Sequence, residues 1–260
     1  MKHHSMLAAL FMAAALPAAA QVTGSDHMST SDGTVDLVLI QHAAIRFDWK
    51  DQHVFTDPAP IGNAQGDAAA APYKAMPKPT LILVTHVHGD HFSAPVLEAI
   101  AGEGTVIVAP QIVRDAMPAS LQAKTRVMKN GDKAMFGPVG VEAVPMYNVS
   151  PDKLKFHQKG VGNGYVLTFA NKRVYVAGDT EETPETANLP NIDIAFIPIN
   201  TPYTQDVAAA AKWVKDFKPR IVFPYHYRNQ DGSTSDMAAF LNQVGNASLV
   251  RLRNRWYQPP

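Results

Sequence analysis

Residues 85–91 read THVHGDH, placing three histidines and an aspartate within six positions, directly after the apolar run LILV at 81–84. Such a short apolar run predicts a buried strand. In an extended segment, residues two apart face the same way, so His86 and His88 can point at one metal ion. Gly89 then allows a sharp turn, after which Asp90 and His91 can face a second ion. The stretch therefore predicts half of a two-metal site at the end of a strand.

Composition limits what such a site can contain. The chain has 260 residues, 46% of them hydrophobic, which is enough for one large domain or two small ones. The 23 basic and 23 acidic side chains cancel, which argues against a nucleic-acid partner and favours a small-molecule substrate. The chain has no cysteine, so a metal must be bound by nitrogen and oxygen atoms of His, Asp or Glu. No feature of the sequence indicates a particular oligomeric state.

The N-terminus has the pattern of a secretory signal peptide. A basic start at Lys2 precedes an apolar stretch over residues 6–16 and the small residues Ala18 and Ala20. The apolar stretch is shorter than the roughly 20 residues that a membrane-spanning helix needs. We expect cleavage after Ala20, no membrane span in the mature protein, and a periplasmic or secreted location.

The remaining chain alternates predicted strands and helices, with no repeat or linker that would divide it. Residues 21–33 are small and polar and predict a flexible tail, and residues 34–260 predict one domain. VDLVLIQHAAIRF and HVFTDP are predicted to form a pair of strands, and residues 58–79 a Pro/Gly/Ala-rich loop that either covers the site as a flap or lies on the surface. A helix is predicted after Ser93, its N-cap. Strands paired first and then interleaved with helices favour layered α/β sheets with helices outside.

Two other strand ends carry candidate ligands. Asp179 follows the buried strand of YVAGDT, a position suited to a carboxylate that bridges two ions, and His226 stands at the end of FPYHY. Alone, Asp179 is equally typical of a turn and His226 of a buried core histidine. Together with THVHGDH, both are predicted to be metal ligands.

The ordered set THVHGDH, AGDT and PYH resembles the metallo-β-lactamase superfamily. The resemblance runs from about Val35 to the C-terminus and includes HVFTDPAP. It implies an αββα sandwich, in which two mixed β-sheets are flanked by helices and two metals lie between the sheet edges. The later runs GYVLTFANKRVYVAGDTEETPE, IDIAFIPINTPYT and IVFPYHY are most similar to the group of ascorbate-phosphate lactonase and N-acyl-phosphatidylethanolamine phospholipase.

The resemblance also implies a role for each candidate residue. It assigns His86 and His88 to the first metal, and Asp179 to the bridge between the metals. The second metal receives Asp90, His91 and His226, and Asp57 lies beneath as a carboxylate that orients ligands.

The third ligand of the first metal has two candidates. Asn148, in PMYN, stands where phospholipase-like members carry a histidine, whereas His157, in KFHQKG, is the only histidine between His91 and His226. We favour His157, as a ligand or as a group near the site. Tyr203, near a predicted strand end, is a further candidate for the pocket wall.

The resemblance implies a hydrolase that uses a metal-bridged hydroxide to cleave an ester, lactone, amide or phosphodiester bond. Two divalent ions, Zn²⁺ or alternatively Mn²⁺ or Fe, keep a net positive charge beside two aspartates and lower the pKa of bound water. Asp90 is expected to help transfer the proton. The alternatives are an iron-dependent oxidoreductase on the same fold and a non-catalytic binding relative.

Overall fold

The computed structural model describes residues 26–60 and 64–253, and within them the chain forms fourteen strands and six α-helices. The strands are β1 Asp26–Thr30, β2 Gly33–Gln41, β3 Ala44–Trp49, β4 Gln52–Thr56, β5 Leu81–Leu83, β6 Val106–Ala109, β7 Thr125–Val127, β8 Lys133–Phe136, β9 Val139–Met146, β10 Gly162–Phe169, β11 Lys172–Val176, β12 Ile194–Pro198, β13 Ile221–Tyr225 and β14 Leu249–Val250. The helices are α1 Asp67–Lys74, α2 Ala94–Ile100, α3 Gln111–Asp115, α4 Ala119–Gln122, α5 Val207–Phe217 and α6 Met237–Val244.

The strands form two seven-stranded sheets of the same design. The first has the order β1 to β7, and the second has the order β14 to β8. In each sheet the first four strands in the chain pair antiparallel and the last four pair parallel, the fourth strand doing both. Antiparallel neighbours need only short turns, whereas most of the parallel neighbours are joined here by helices. The predicted αββα sandwich of two mixed sheets flanked by helices is confirmed.

The core lies between the two sheets. The ring of Phe47 in β3 lies 5.7 Å from that of Phe169 in β10 and 6.0 Å from that of Phe196 in β12, centroid to centroid. On the outer side of the second sheet, Trp213 of α5 packs edge-on against Tyr175 at 6.1 Å. Burying such large apolar surfaces on both faces is the main force that holds the layers together. The rigid sandwich fixes where the strand ends lie.

The helix after the metal-binding stretch begins as predicted. The side chain of Ser93 accepts a hydrogen bond from the backbone N–H of Val96, so it caps α2. This cap sets the point at which the chain leaves the loop 85–91 and turns back over the first sheet.

The predicted flexible tail is wrong for residues 26–33. Residues 26–30 form β1, an edge strand that pairs with β2, and Met28 is buried. The guanidinium of Arg253 binds the carboxylate of Asp26, with Nε donating at 2.7 Å. A polar edge strand has little hydrophobic alternation, so its pairing is decided by the neighbouring strand. Residues 1–25, including the predicted signal peptide 1–20, lie outside the described residues.

Two further expectations need correction. VDLVLIQHAAIRF is not one strand, because the chain reverses at His42 and Ala43 to form the β2–β3 hairpin. The predicted loop 58–79 contains α1, whose Tyr73 is buried and donates a hydrogen bond to the carbonyl of Ala59 at 2.6 Å. Alanine has the highest helix propensity, and here it outweighs the proline at position 72. Residues 61–63 of this segment lie outside the described residues.

None of the helices in the described ranges has the length and apolar character needed to cross a membrane.

Candidate metal centre

The candidate site lies where several strands end. The loop 85–91 follows β5, Asp57 follows β4, Asp179 follows β11 and His226 follows β13. All four strands belong to the parallel halves of their sheets. Carboxyl ends of parallel strands share one edge of a sheet, and that edge is where binding sites form in α/β proteins. The fold therefore brings together residues that are up to 169 positions apart in the chain, from Asp57 to His226.

The first cluster consists of His86, His88 and His157. Nε2 of His86 lies 3.0 Å from Nδ1 of His88, and the ring of His157 lies 5.2 Å and 5.1 Å from theirs. The three residues offer ligand atoms that all lie within 4.8 Å of one another. The structure thus places His157 beside the two histidines that the sequence assigned to the first metal.

Asn148 lies behind this cluster and holds the loop that carries His157. Its buried side chain donates from Nδ2 to the carbonyls of Lys153 at 3.0 Å and Tyr203 at 2.7 Å. Its backbone N–H donates to the carbonyl of His157 at 2.9 Å, and its Nδ2 lies 3.2 Å from Nδ1 of that ring. Nε2 of His157 is therefore the nitrogen that faces the site. Of the two candidates, His157 has the position of a ligand and Asn148 that of a support.

Glu181 anchors the same loop from the other side. Its carboxylate accepts hydrogen bonds from the backbone N–H groups of Val149 at 2.8 Å and Ser150 at 2.7 Å. It also accepts from the Ser150 hydroxyl at 2.7 Å and from Lys153 at 3.0 Å. Because ionised acceptors form stronger hydrogen bonds than neutral ones, this carboxylate fixes the path of the chain toward His157.

The second cluster consists of His42, Asp90, His91 and His226, whose ligand atoms also lie within 4.8 Å of one another. Oδ2 of Asp90 lies 3.0 Å from Nε2 of His42, 3.2 Å from Nε2 of His226 and 3.9 Å from Nε2 of His91. The sequence assigned three of these residues to the second metal, and the structure brings them together. It adds His42, which the sequence interpretation missed.

Asp179 lies between the two clusters. Its Oδ1 is 3.3 Å from Nε2 of His91, and its Oδ2 is 3.3 Å from Nε2 of His226 and 3.6 Å from Nε2 of His157. One carboxylate thus faces histidines of both clusters, which is the arrangement expected of a bridging ligand.

Asp57 supports both clusters from beneath. Its Oδ1 accepts a hydrogen bond from the backbone N–H of Thr85 at 2.7 Å, and its Oδ2 accepts from Nδ1 of His91 at 2.8 Å. The Thr85 hydroxyl donates to the same Oδ2 at 2.7 Å and lies 3.0 Å from Nδ1 of His86. Since the hydroxyl proton goes to Asp57, the hydroxyl oxygen can accept from His86. This chain of contacts favours the tautomers in which Nε2 of both histidines is free to bind a metal.

Asn200 has the corresponding position beneath the ring of His226. Its side-chain amide lies 2.9 Å from Nδ1 of His226, and the hydroxyl of Thr204 donates to its Oδ1. Both Asn200 and Thr204 are buried. The contact directs Nε2 of His226 toward Asp90 and Asp179.

The aspartates and histidines of the site shift one another's pKa values strongly. Burial alone would raise the pKa of Asp179, but His226 and His91 hold it well below the usual range. The same holds for the pKa of Asp90, where His91 and hydrogen bonds from His226 and His42 outweigh burial. Burial alone would lower the pKa of His91, but Asp179, Asp90 and Asp57 together raise it well above the usual range. Carboxylates in this pocket therefore demand a positive charge, which a metal ion supplies.

Burial keeps three other histidines of the site neutral. Burial lowers the pKa of His86 well below its usual range and lowers those of His42 and His157 to about 4. A neutral imidazole has a lone pair to offer, and it is the form that binds metals.

Unsatisfied atoms provide a test of whether metal ions fit. Among the described residues, the buried side-chain atoms that lack a hydrogen-bond partner include Nε2 of His91, Nε2 of His157 and Oδ1 of Asp179. Leaving buried polar atoms unpaired costs about 1–3 kcal/mol each, so several in one place require an explanation. All three are metal-ligand atoms directed at the clusters. The residues present therefore fit divalent ions.

The structure places Tyr203 beside the loop that carries His157, and it brings His42 to the site, which the sequence interpretation did not include. The Tyr203 ring packs edge-on against Phe156 at 5.2 Å, and its backbone carbonyl holds Asn148, so it supports the His157 loop. His42 was missed because it lies inside an apolar run that reads as one strand. The interruption by Gln41 and His42 was the only signal available.

Comparisons with known proteins agree with this geometry. Residues 36–226, well over half of the chain, match the family described as the Beta-lactamase superfamily domain. The chain is similar to a metal-dependent hydrolase of Pyrococcus horikoshii, at 30% identity over 83% of this chain and 95% of the relative.

Two solved structures are also similar. One, from Parabacteroides distasonis, is described as a metal-dependent hydrolase and is 34% identical, with a TM-score of 0.78 over 90% of this chain and 99% of that chain. The other, a diiron beta-hydroxylase from Streptomyces venezuelae, is 15% identical with a TM-score of 0.63 over 84% of this chain and 52% of that chain, so the likeness concerns the fold alone. The chain belongs to the β-lactamase superfamily and is one of its metal-dependent hydrolases.

Proposed function

We propose that this hydrolase works with two divalent ions, one in each cluster, bridged by Asp179. The observation that carries the proposal is the position of Asp179, whose two oxygens face His91 and His226 on one side and His157 on the other. Ions bound there would polarise a substrate oxygen and lower the pKa of water, which is the chemistry that hydrolysis requires.

The residues of the chain divide this work. His86, His88 and His157 would hold the first ion, and Asp90 and His91, with His226, the second. A carboxylate with a pKa as low as that of Asp90 is ionised at any physiological pH. We therefore assign Asp90 to metal binding and substrate orientation in the first place, with proton transfer as a lesser role.

The donor set supports zinc as the resident metal. Nitrogen from histidine with one or two carboxylate oxygens is a common zinc environment, and the chain has no cysteine thiolate to offer. Manganese and iron accept the same donors, so metal identity is decided by analysis of the purified protein.

We propose a small molecule with an ester, lactone, amide or phosphodiester bond as the substrate. The side chain of Asp90 is 49% exposed, and His88 is also exposed, so the site opens to solvent on that side. The zero net charge provides no excess of basic side chains that would favour a nucleic acid.

We further propose that the protein is exported to the periplasm or the medium after cleavage behind Ala20. The support is the pattern of basic start, apolar stretch and small residues at the N-terminus. Mass spectrometry of the protein from the periplasmic fraction or the medium tests this, because export predicts a mature chain that begins at Gln21. Full-length protein recovered in the cytoplasm would contradict it.

The central test combines metal analysis with activity. Protein purified without added metal is measured for metal content and then assayed against nitrophenyl esters and phosphodiesters, lactones and β-lactams. Two ions per chain and hydrolysis that chelation abolishes support the proposal. An Asp179→Asn variant should lose both, whereas Asp48→Asn, which alters a partly exposed carboxylate paired with His53, should keep both.

Other outcomes identify the alternatives. Stoichiometric iron with substrate-dependent oxygen uptake would indicate oxidoreductase chemistry. Two bound ions with no turnover of any class of compound would indicate a binding protein.

A further inference from the structure

His42 and His226 face each other across the site with an unusual backbone geometry. His42 occupies the turn between β2 and β3 with a φ of 49°, and His226 follows β13 with a φ of 45°. The backbone N–H of His226 donates to the carbonyl of His42 at 3.2 Å. A positive φ is uncommon for residues other than glycine, and such residues concentrate at functional sites. Two of them, joined by a hydrogen bond between the two sheets, place both rings at the metal centre.

The ring of His42 is directed at the second cluster. Its centroid lies 3.7 Å from that of His226, with a tilt of 46° between the rings. Its Nε2 lies 3.0 Å from Oδ2 of Asp90, and Nε2 of His226 lies 3.2 Å from the same oxygen. These three atoms therefore converge on one point.

The spacing of these atoms matches that of metal ligands. Nitrogen and oxygen ligands lie about 2.0–2.1 Å from zinc, so two ligands of a tetrahedral site are separated by roughly 3.3 Å. The distances of 3.0 and 3.2 Å to Asp90 are close to this value. The same atoms would be just as close if His42 only donated a hydrogen bond to Asp90, so the two roles must be separated by experiment.

We propose that His42 is a ligand of the second metal ion through Nε2, beside Asp90, His91 and His226. The inference rests on the two-metal function proposed above and extends it. It makes the two metal positions unequal, because the second has three histidines and a carboxylate of its own, whereas the first has three histidines. Counting the shared Asp179, the second position then has five ligands from the chain and the first has four, so we expect the second position to bind its ion more tightly and to be filled first.

Two variants separate ligation from hydrogen bonding. In His42→Asn the imidazole is lost, but asparagine tolerates a positive φ, so the turn can keep its shape. In His42→Gln the amide can still donate a hydrogen bond toward Asp90 but is a poor ligand. The matched control is His53→Gln, which alters a histidine of β4 in the same sheet whose Nδ1 pairs with Asp48 at 2.8 Å.

Metal is removed from the protein with a chelator, and the protein is then titrated with Co²⁺. Visible absorption and competition with a chromophoric chelator measure the binding. We expect the wild type and His53→Gln to bind one equivalent more tightly than the other. In both His42 variants the tighter equivalent should bind at least about tenfold more weakly, with an altered spectrum, and the weaker equivalent should be unchanged.

The inference is overturned if His42→Gln binds the first equivalent with the affinity and spectrum of the wild type, because His42 then only positions Asp90. It is also overturned if both variants do so. Urea unfolding of each variant verifies that the fold is intact, and His42→Gln decides the matter if His42→Asn does not fold. A wild-type protein that binds no metal at all contradicts the two-metal function itself, which is a different result.

Discussion

The carboxylate of Asp57 accepts a hydrogen bond from Nδ1 of His91 at 2.8 Å, and neither side chain is exposed to solvent. Through the hydroxyl of Thr85, the same carboxylate also reaches Nδ1 of His86. One buried residue outside both clusters therefore orients a histidine of each. Such outer contacts fix the ring position and the tautomer of metal-binding histidines.

Replacement of Asp57 by asparagine is expected to weaken both metal positions. Asparagine fits the space and tolerates the positive φ of 44° at this position, but it removes the charge and one of the two carboxylate oxygens. We expect metal affinity to fall by about 10- to 100-fold. Competition with a chromophoric chelator measures it.

The control for this substitution is Asp48→Asn. Asp48 also accepts from a histidine, His53, at 2.8 Å, and from Nε of Arg46 at 2.9 Å, but in a partly exposed position away from the site. Its loss should leave metal affinity unchanged. Equal effects of the two substitutions would show that Asp57 acts on overall stability rather than on the histidines.

Substitutions at His157 and Asn148 distinguish the ligand from its support. His157→Ala removes Nε2 from the first cluster, so we expect the purified protein to retain about one ion per chain, as loss of a ligand leaves the other cluster intact. Asn148→Ala removes hydrogen bonds to Lys153 and Tyr203 and should lower the free energy of unfolding by about 1–3 kcal/mol with both ions retained at saturating metal. Metal analysis and urea unfolding measure the two effects. Retention of both ions by His157→Ala would refute its assignment as a ligand.

Glu181→Ala is expected to loosen the loop that carries His157. Four hydrogen bonds to the carboxylate are lost, but water can reach part of the exposed loop, so we expect a loss of about 2 kcal/mol in the free energy of unfolding. The affinity of the first metal position should fall, and that of the second should not. Glu142→Ala is the control. Glu142 lies on β9 and pairs with Lys133 and Arg173, and such partly exposed ion pairs contribute about 0–1 kcal/mol to stability.

The stability of the protein from which a chelator has removed all metal should decrease as the pH is lowered. Burial lowers the pKa values of His42 and His157 to about 4 from an ordinary value of 6.5. The unfolded chain therefore binds more protons than the folded one between pH 6.5 and pH 4, and stability falls as the pH falls through this range. Each histidine should contribute about 2 kcal/mol of this loss between pH 7 and pH 5.

Urea unfolding at the two pH values measures the effect, and His157→Gln should show a smaller loss than the wild type. The raised pKa of His91 acts in the opposite direction, because its contribution is present below pH 6.5 and is lost as the pH rises through the folded value. Comparison of the variant with the wild type separates the two contributions. An identical pH dependence in both proteins would contradict the assignment to His157.

Local patterns in the sequence were enough to predict much of the site. The sequence predicted an extended segment that turns His86 and His88 to the same side; the structure ends β5 at Leu83 and carries both residues in the loop that follows. The position of Asp179 and His226 just after buried strands places them at the edge of the second sheet. The loop 85–91 follows buried strand β5 at the edge of the first sheet in the same way, whereas Asp57 was implied by the family resemblance alone. These relationships depend on residues close together in the chain, which is why they can be inferred without a structure.

What the sequence by itself determined is therefore a fold of layered α/β sheets with candidate ligands at the strand ends, and the sandwich of two mixed sheets was implied by the family resemblance. The tertiary structure places His157 beside His86 and His88 with Asn148 behind them, because the loop that carries both takes its path from Glu181. It also brought His42 to the site, since the turn that carries this residue is tied to the backbone of His226 on the other sheet. Both outcomes depend on hydrogen bonds between distant segments, and such contacts leave no periodic signal in the residues that form them.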